Sequence, residues 1–295
     1  MTNKFKGTGV AVITPFTKEN KVDYKALETV IEHLISGGVE YLVIHGTTGE
    51  SVTLSLEEKI SIVNFVSGIN NSRLPLVLGI GGNNTSEIIN YFSKFNFENV
   101  DAVLSVSPYY NKPSQEGIYQ HYRAIASESP KPIILYNVPG RTASNITAET
   151  TLRLANDIKN IIGVKEASAD MAQIMKIIRY KPEDFMLISG DDALTLPVIA
   201  AGGSGVISVV ANAFPVIFSG MTRDCLLNNF PEARKKHYSL LAITEMLFAE
   251  GNPGGVKAAM NIRGLCSDFL RLPLVNISKP LYEKIKTEIE KNNLC

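Results

Sequence analysis

Gly7-Thr8-Gly9-Val10-Ala11-Val12-Ile13-Thr14 sets two glycines ahead of an apolar, partly β-branched run. Val10–Thr14 reads as the first strand of a parallel sheet, apolar on both faces because helices cover both. An open sheet that binds a dinucleotide carries its glycines after that strand, where the backbone meets a pyrophosphate. Here they precede it. The nearest later match, Gly79-Ile80-Gly81-Gly82-Asn83-Asn84, lacks the final glycine, so no nucleotide site is expected.

The same alternation of apolar run and helical period continues outward from this segment. Further strands are expected at Tyr41–His45, Leu76–Ile80, Ala102–Val106, Ile133–Asn137, Ile161–Lys165, Met186–Ser189 and Val206–Val209. Helices are expected between them at Tyr24–Ser36, Leu56–Ile69, Ser86–Phe95, Glu116–Ser127, Ala148–Asn156, Met171–Ile178, Ala193–Ala200 and Pro215–Leu227. In the second helix, Ile60, Val63 and Val66 supply a partial apolar stripe. Eight βα units in about 225 residues fit a closed (β/α)8 TIM barrel, for which roughly 250 residues is typical. After Leu227 only helical patterns remain, at Pro231–Ala249, Pro253–Leu265 and Pro280–Asn292. The expected division is a barrel over residues 1–227 and a helical region over residues 228–295, with no Gly/Ser linker between them.

Composition narrows the function. The 295 residues carry 29 basic and 29 acidic side chains, so there is no basic face for nucleic acid or an anionic membrane. Hydrophobic content of 45% with 20% charge fits a globular chain and excludes disorder. The three cysteines, Cys225, Cys266 and Cys295, form no CxxC and cannot all pair within the chain, which points to a reduced cytosol. Met1–Gly9 has lysines but no apolar core of a signal peptide. Residues 193–222 contain no charge, yet Pro197, Gly202, Gly203, Gly205 and Pro215 break them into helix, turn and strand rather than one membrane span. No membrane association is expected.

In a (β/α)8 barrel the chemistry sits at the carboxyl ends of the strands. Gly46-Thr47-Thr48-Gly49-Glu50-Ser51 follows the second strand; its hydroxyls and N–H groups suit a carboxylate or phosphate, and a polar turn capping the next helix is the competing reading. Ser107-Pro108-Tyr109-Tyr110-Asn111-Lys112-Pro113 follows the fourth, offering a phenol for proton transfer, an interface anchor or plain loop packing. Tyr136-Asn137-Val138-Pro139-Gly140-Arg141-Thr142 ends the fifth strand with a phenol and a guanidinium suited to a carboxylate, or to a structural salt bridge. Lys165 closes the apolar run Ile161-Ile162-Gly163-Val164-Lys165-Glu166, where burial disfavours the ammonium and favours the neutral amine that attacks a ketone. Lys165 and Glu166 point to opposite faces of a strand, so they should not pair. His33, His45, His121 and His237 form no HExxH, no Gly-x-Ser-x-Gly elbow occurs, and Asp191-Asp192 reads as a helix cap, so no metal is required.

Taken together, Gly46-Thr47-Thr48-Gly49-Glu50, Tyr136-Asn137-Val138-Pro139-Gly140-Arg141-Thr142 and Gly163-Val164-Lys165-Glu166 resemble the pyruvate-dependent class I aldolase superfamily, and within it the dihydrodipicolinate synthase family. The resemblance runs over essentially the whole chain, and Arg141 separates it from the sialic-acid lyases. It implies condensation of pyruvate with L-aspartate 4-semialdehyde toward diaminopimelate and lysine, without a cofactor. It implies that Lys165 forms the imine, Thr47 and Thr48 hold the pyruvate carboxylate, and Thr47, Tyr136 and Tyr110 form a hydroxyl relay. Arg141 would meet the second carboxylate and the Ile207 carbonyl would face the site. A homotetramer built from dimers is implied, with Tyr110 arriving from the neighbouring subunit. An inhibitory lysine site is implied at Ser51, Val52, Leu56, Lys59, Asn83, Glu87 and Tyr109, where Leu56 and Lys59 depart from the histidines of sensitive members. The alternatives are another pyruvate aldolase, such as an N-acetylneuraminate or 2-keto-3-deoxy sugar acid lyase, and a catalytically inactive metabolite sensor.

Overall fold

A computed structural model describes residues 2–292; Cys295 lies outside them. The apolar runs close into one parallel barrel in sequence order: β1 (Gly7–Ala11), β2 (Tyr41–Ile44), β3 (Leu76–Gly79), β4 (Ala102–Val106), β5 (Ile133–Asn137), β6 (Ile161–Glu166), β7 (Met186–Ser189) and β8 (Gly205–Ser208). β8 returns to β1 with Ile207 opposite Gly9, which completes the (β/α)8 architecture. Asn212 reinforces this closure: its side chain accepts from the Ile13 N–H (3.1 Å) and donates to the Ala11 carbonyl (2.9 Å).

The first strand departs from the sequence reading. Gly7, Thr8 and Gly9 lie within β1 rather than ahead of it. The reason is inside the barrel, where the Tyr41 side chain is fully buried. A Cβ on Gly9 would sit 2.1 Å from the Tyr41 ring. The glycine therefore makes room for an interior aromatic and has no part in a turn.

Two apolar cores follow from the strand alternation. Ala11, Tyr41, Val43, Val77, Leu104, Ile134, Met186, Ile188 and Ile207 fill the barrel interior with Phe5. The opposite strand faces, with residues such as Leu42, Leu76, Val103, Ile133 and Leu187, pack beneath the helices. Helices start at side-chain caps from Asp23, Ser55, Ser114, Thr147 and Asp170. Such caps satisfy the orphan N–H groups of a first turn. In the helix Leu56–Asn70 the buried face is Ile62, Val63, Val66 and Asn70; Ile60 is only half-buried, one position off the expected stripe. The helix expected at Ser86–Phe95 spans Thr85–Tyr91, that at Ala193–Ala200 begins at Thr195, and Pro139–Thr142 adds a short helix unread in the sequence. Beyond the barrel, Phe230–Phe248, Gly254–Ile262 and Lys279–Lys291 are helical, the first packed on Pro215–Leu226. No helix among the described residues is long and apolar enough to cross a membrane.

Candidate active site

Inward-pointing side chains at the carboxyl ends of the strands surround an axial cavity of about 130 Å³. Lys165 of β6 and Tyr136 of β5 are register partners, so both enter it side by side. Lys165 is 5% exposed, and its Nζ lies 4.3 Å from the centre of the Tyr136 ring. Glu166 turns to the other face and bonds Asn137 instead, as strand alternation requires. Gly190 clears the space beside the amine: a Cβ there would lie 3.1 Å from Lys165 Cε.

The Gly46–Ser51 loop supplies the hydroxyl wall. Thr47 and Thr48 both line the cavity. Thr48 is buried, and its Oγ accepts from Asn252 Nδ2 at 3.0 Å. That accepted bond leaves the hydroxyl proton of Thr48 to donate toward an anion. Asn252 also lines the cavity, and its Oδ1 is buried without a partner among the described residues. The loop turns through Glu50, at φ 51°, with Glu50 N–H on the Thr47 carbonyl (3.0 Å). The Glu50 carboxylate does not face the cavity. It forms a fully buried ion pair with Lys257 (2.5 Å) and accepts from the Arg271 N–H (3.1 Å). Lys257 also donates to the Phe269 carbonyl (2.8 Å), and burial holds its ammonium below the usual lysine range against the pull of Glu50.

Arg141, on the short helix Pro139–Thr142, is exposed and lines the mouth of the cavity. Its guanidinium makes no ion pair among the described residues, contrary to the salt-bridge reading of the sequence. Ile207 is buried in β8 within the interior core and does not line the cavity; Val209 does. Tyr110 is not brought to the site by this chain. It is 88% exposed at φ 71°, away from the cavity lining.

Asp191 caps the chain at Ala193 and Leu194 (2.9 and 3.1 Å), as its position predicted. Asp192 does not. It is buried, takes the Ser208 hydroxyl and the Val209 N–H (3.1 Å), and burial raises its carboxyl to about 6. No group of three or more potential metal ligands occurs among the described residues. A wider cavity of about 540 Å³ adjoins the first, sharing Thr47, Tyr136 and Arg141 with it, and extends to Ser51, Val52, Lys59, Asn83, Glu87 and Tyr109 but not to Leu56. His45 lines it with both ring nitrogens unpartnered among the described residues; burial, then Lys59, pushes this imidazole down to about 3.

Asn252, Lys257 and Gly190 were missed in the sequence. Lys257 had a readable signal, because it sits in the small, apolar stretch Gly254-Gly255-Val256-Lys257-Ala258-Ala259-Met260. A lysine is as costly there as at position 165 unless something holds it.

A buried lysine beside a phenol at the end of the sixth strand of a (β/α)8 barrel defines a Schiff-base-forming lyase. The model of the Dihydrodipicolinate synthetase family matches residues 4–292, and the chain belongs to that family. It is 54% identical over 281 residues to the 4-hydroxy-tetrahydrodipicolinate synthase of Flavobacterium psychrophilum, covering 95% of this chain and 96% of that one. With the enzyme of the same name from Parabacteroides distasonis it shares 50% identity over 281 residues, 95% of each chain. The crystal structure of dihydrodipicolinate synthase from Aquifex aeolicus superimposes with a TM-score of 0.95 at 39% identity, over 98% of this chain and 99% of that one.

Proposed function

We propose that the chain condenses pyruvate with L-aspartate 4-semialdehyde, the 4-hydroxy-tetrahydrodipicolinate synthase step toward diaminopimelate and lysine. The observation that carries this is the burial of the Lys165 amine in a cavity it shares with Tyr136, Thr47, Thr48 and Arg141. Lys165 attacks the ketone carbon of pyruvate, and loss of water gives the imine. Thr47 and Thr48 hold the pyruvate carboxylate. Tyr136 delivers the proton with which the carbinolamine hydroxyl leaves as water, and it takes up the proton released when the methyl group becomes an enamine. The enamine carbon then attacks the aldehyde, and the substrate amine displaces Lys165 as the ring closes. The imine is the electron sink, so no cofactor enters the scheme.

Arg141 meets the carboxylate of the semialdehyde, for which its unpaired fork is suited. Tyr110 completes the relay of a neighbouring copy, within a homotetramer of dimers, and its exposure on the single chain supports that assignment. The setting is the cytoplasm. The wider cavity is the regulatory cleft, where Lys59 repels a cationic effector; L-lysine therefore inhibits weakly or not at all, and strong inhibition below millimolar concentration would contradict this.

Initial rates separate the substrate readings. Pyruvate with aspartate semialdehyde should turn over, while N-acetylneuraminate and 2-keto-3-deoxy sugar acids should not be cleaved. Sugar-acid cleavage with no semialdehyde turnover would transfer the chain to the lyase alternative.

A further inference from the structure

The strands that carry Lys165 and Tyr136 do not pair in simple step. Ile133 lies opposite Ile161, but the next residue, Ile134, lies opposite Gly163, so Ile162 has no counterpart. Above this irregularity the pairs run Leu135 with Val164, Tyr136 with Lys165 and Asn137 with Glu166. Side chains alternate along a strand, so a slip of one residue exchanges inside for outside. Here a slip would turn Lys165 out of the cavity and put Glu166 in its place. An extra residue in one strand is the point from which such a slip can start.

The pair directly beyond the catalytic one is polar and buried: Asn137 is 0% exposed and Glu166 1%. Asn137 Nδ2 donates to both carboxylate oxygens, at 3.1 and 3.0 Å. The Ser168 N–H (2.8 Å) and Gln173 Nε2 (3.0 Å) complete the set around Glu166. No cation pairs with Glu166 among the described residues. A buried carboxylate held only by N–H donors tolerates the loss of none of them. The orientation of the Asn137 amide is itself fixed, because its Oδ1 accepts from the Ile146 N–H (2.9 Å). Neither residue lines either cavity.

We propose that Asn137 and Glu166 are positioning residues that lock the register of β5 against β6 above the bulge and thereby aim Tyr136 and Lys165 into the barrel. The catalytic consequence rests on the Schiff-base reading above. The register itself does not, and a separate readout covers it.

The test compares Asn137→Asp, Glu166→Gln and the double variant in the full chain. Asn137→Asp sets two buried carboxylates against each other. Glu166→Gln removes one of the two carboxylate acceptors of Asn137, whose Nδ2 also donates to Asn145 Oδ1 (2.8 Å) and the Ile146 carbonyl (3.4 Å). The double variant reverses donor and acceptor and restores the contact between the two side chains, while the bonds of Asn137 to Asn145 and Ile146 stay lost. Hydrogen exchange of the peptide spanning 161–168 reads the register directly, since the Ala167 N–H bonds the Asn137 carbonyl at 2.9 Å. Protection there should fall at least tenfold in Asn137→Asp, stay unchanged in β1 and β2, and return in the double variant. Trapping of pyruvate on Lys165 with borohydride should slow about 100-fold in Asn137→Asp and about tenfold in Glu166→Gln. It should recover to within about tenfold of wild type in the double variant, with KM for pyruvate nearly constant. If Asn137→Asp does not fold, Glu166→Gln and the double variant carry the same comparison. Unchanged protection and trapping in the single variants would overturn the proposal, as would a uniform loss of protection in every strand. A double variant that folds yet is no better protected or trapped than Asn137→Asp would do the same. A wild-type chain that forms no adduct while the exchange pattern holds refutes the Schiff-base reading and leaves the register lock standing.

Discussion

Two loops at the same end of the barrel are built on opposite plans. Gly46–Ser51 is fastened from behind: Glu50 is buried on Lys257, Thr48 is held by Asn252, and Thr14 Oγ donates to the Gly49 carbonyl at 2.7 Å. Ser107–Pro113 ends in the open, with Tyr110 and Lys112 exposed at positive φ. Two of these fastenings, Asn252 and Lys257, come from about 200 positions away, in the turn after Phe248 and the helix Gly254–Ile262 of the same chain. The second loop presents an exposed phenol outside the lining of the axial cavity. The difference teaches that one wall of the site is fastened from within the fold, while the other loop turns its aromatic group outward, as the homotetramer proposed above requires.

Removing the fastening should give the largest effect. Lys257→Met leaves the Glu50 carboxylate buried without its cation, and urea unfolding should show a loss of about 3–5 kcal/mol. Tyr110→Phe should leave the unfolding midpoint within about 0.5 kcal/mol of wild type, because the residue is 88% exposed. Its kcat should nonetheless fall about 100-fold, as for loss of a proton-relay group. A comparable loss of stability in both variants would erase the contrast between the loops. Arg141→Ala, between the two walls, should raise KM for aspartate semialdehyde about 10- to 100-fold through a lost charged hydrogen bond, with KM for pyruvate unchanged.

The smallest effect sharpens the internal side. Burial depresses His45 from 6.5 to about 3, so the unfolded chain takes up a proton that the native chain refuses. Its contribution to stability is complete above pH 6.5 and is lost as the pH falls toward 3. His45→Phe should flatten the acid limb of the stability profile by about 1–2 kcal/mol between pH 6.5 and 5. An unchanged slope would show that the imidazole is not buried as described.

The same contrast explains what the sequence disclosed. β4, β5 and β7 were read to the residue, because a buried parallel strand writes itself as a bounded apolar run. Lys165, Tyr136, Thr47, Thr48 and Arg141 were legible as polar residues at the ends of such runs, and the fold gathers them. Gly9 was misread, because its reason is the ring of Tyr41, its register partner on the neighbouring strand, 32 positions later. Asn252 and Lys257 act on a loop some 200 residues earlier, and no local pattern encodes that contact. The skipped residue at Ile162 is likewise invisible locally, since an unbroken apolar run has no mark of register. Tyr110 stood out as a residue type, but the fold of this chain leaves it exposed and away from the cavity lining.

The central claim is that Lys165 forms an imine with pyruvate. Mass spectrometry after incubation with pyruvate and borohydride tests it directly. The account predicts one reduced pyruvate adduct per chain, mapped to Lys165 and absent from Lys165→Arg. A wild-type chain that remains unmodified, or an adduct that maps to another lysine, would contradict it.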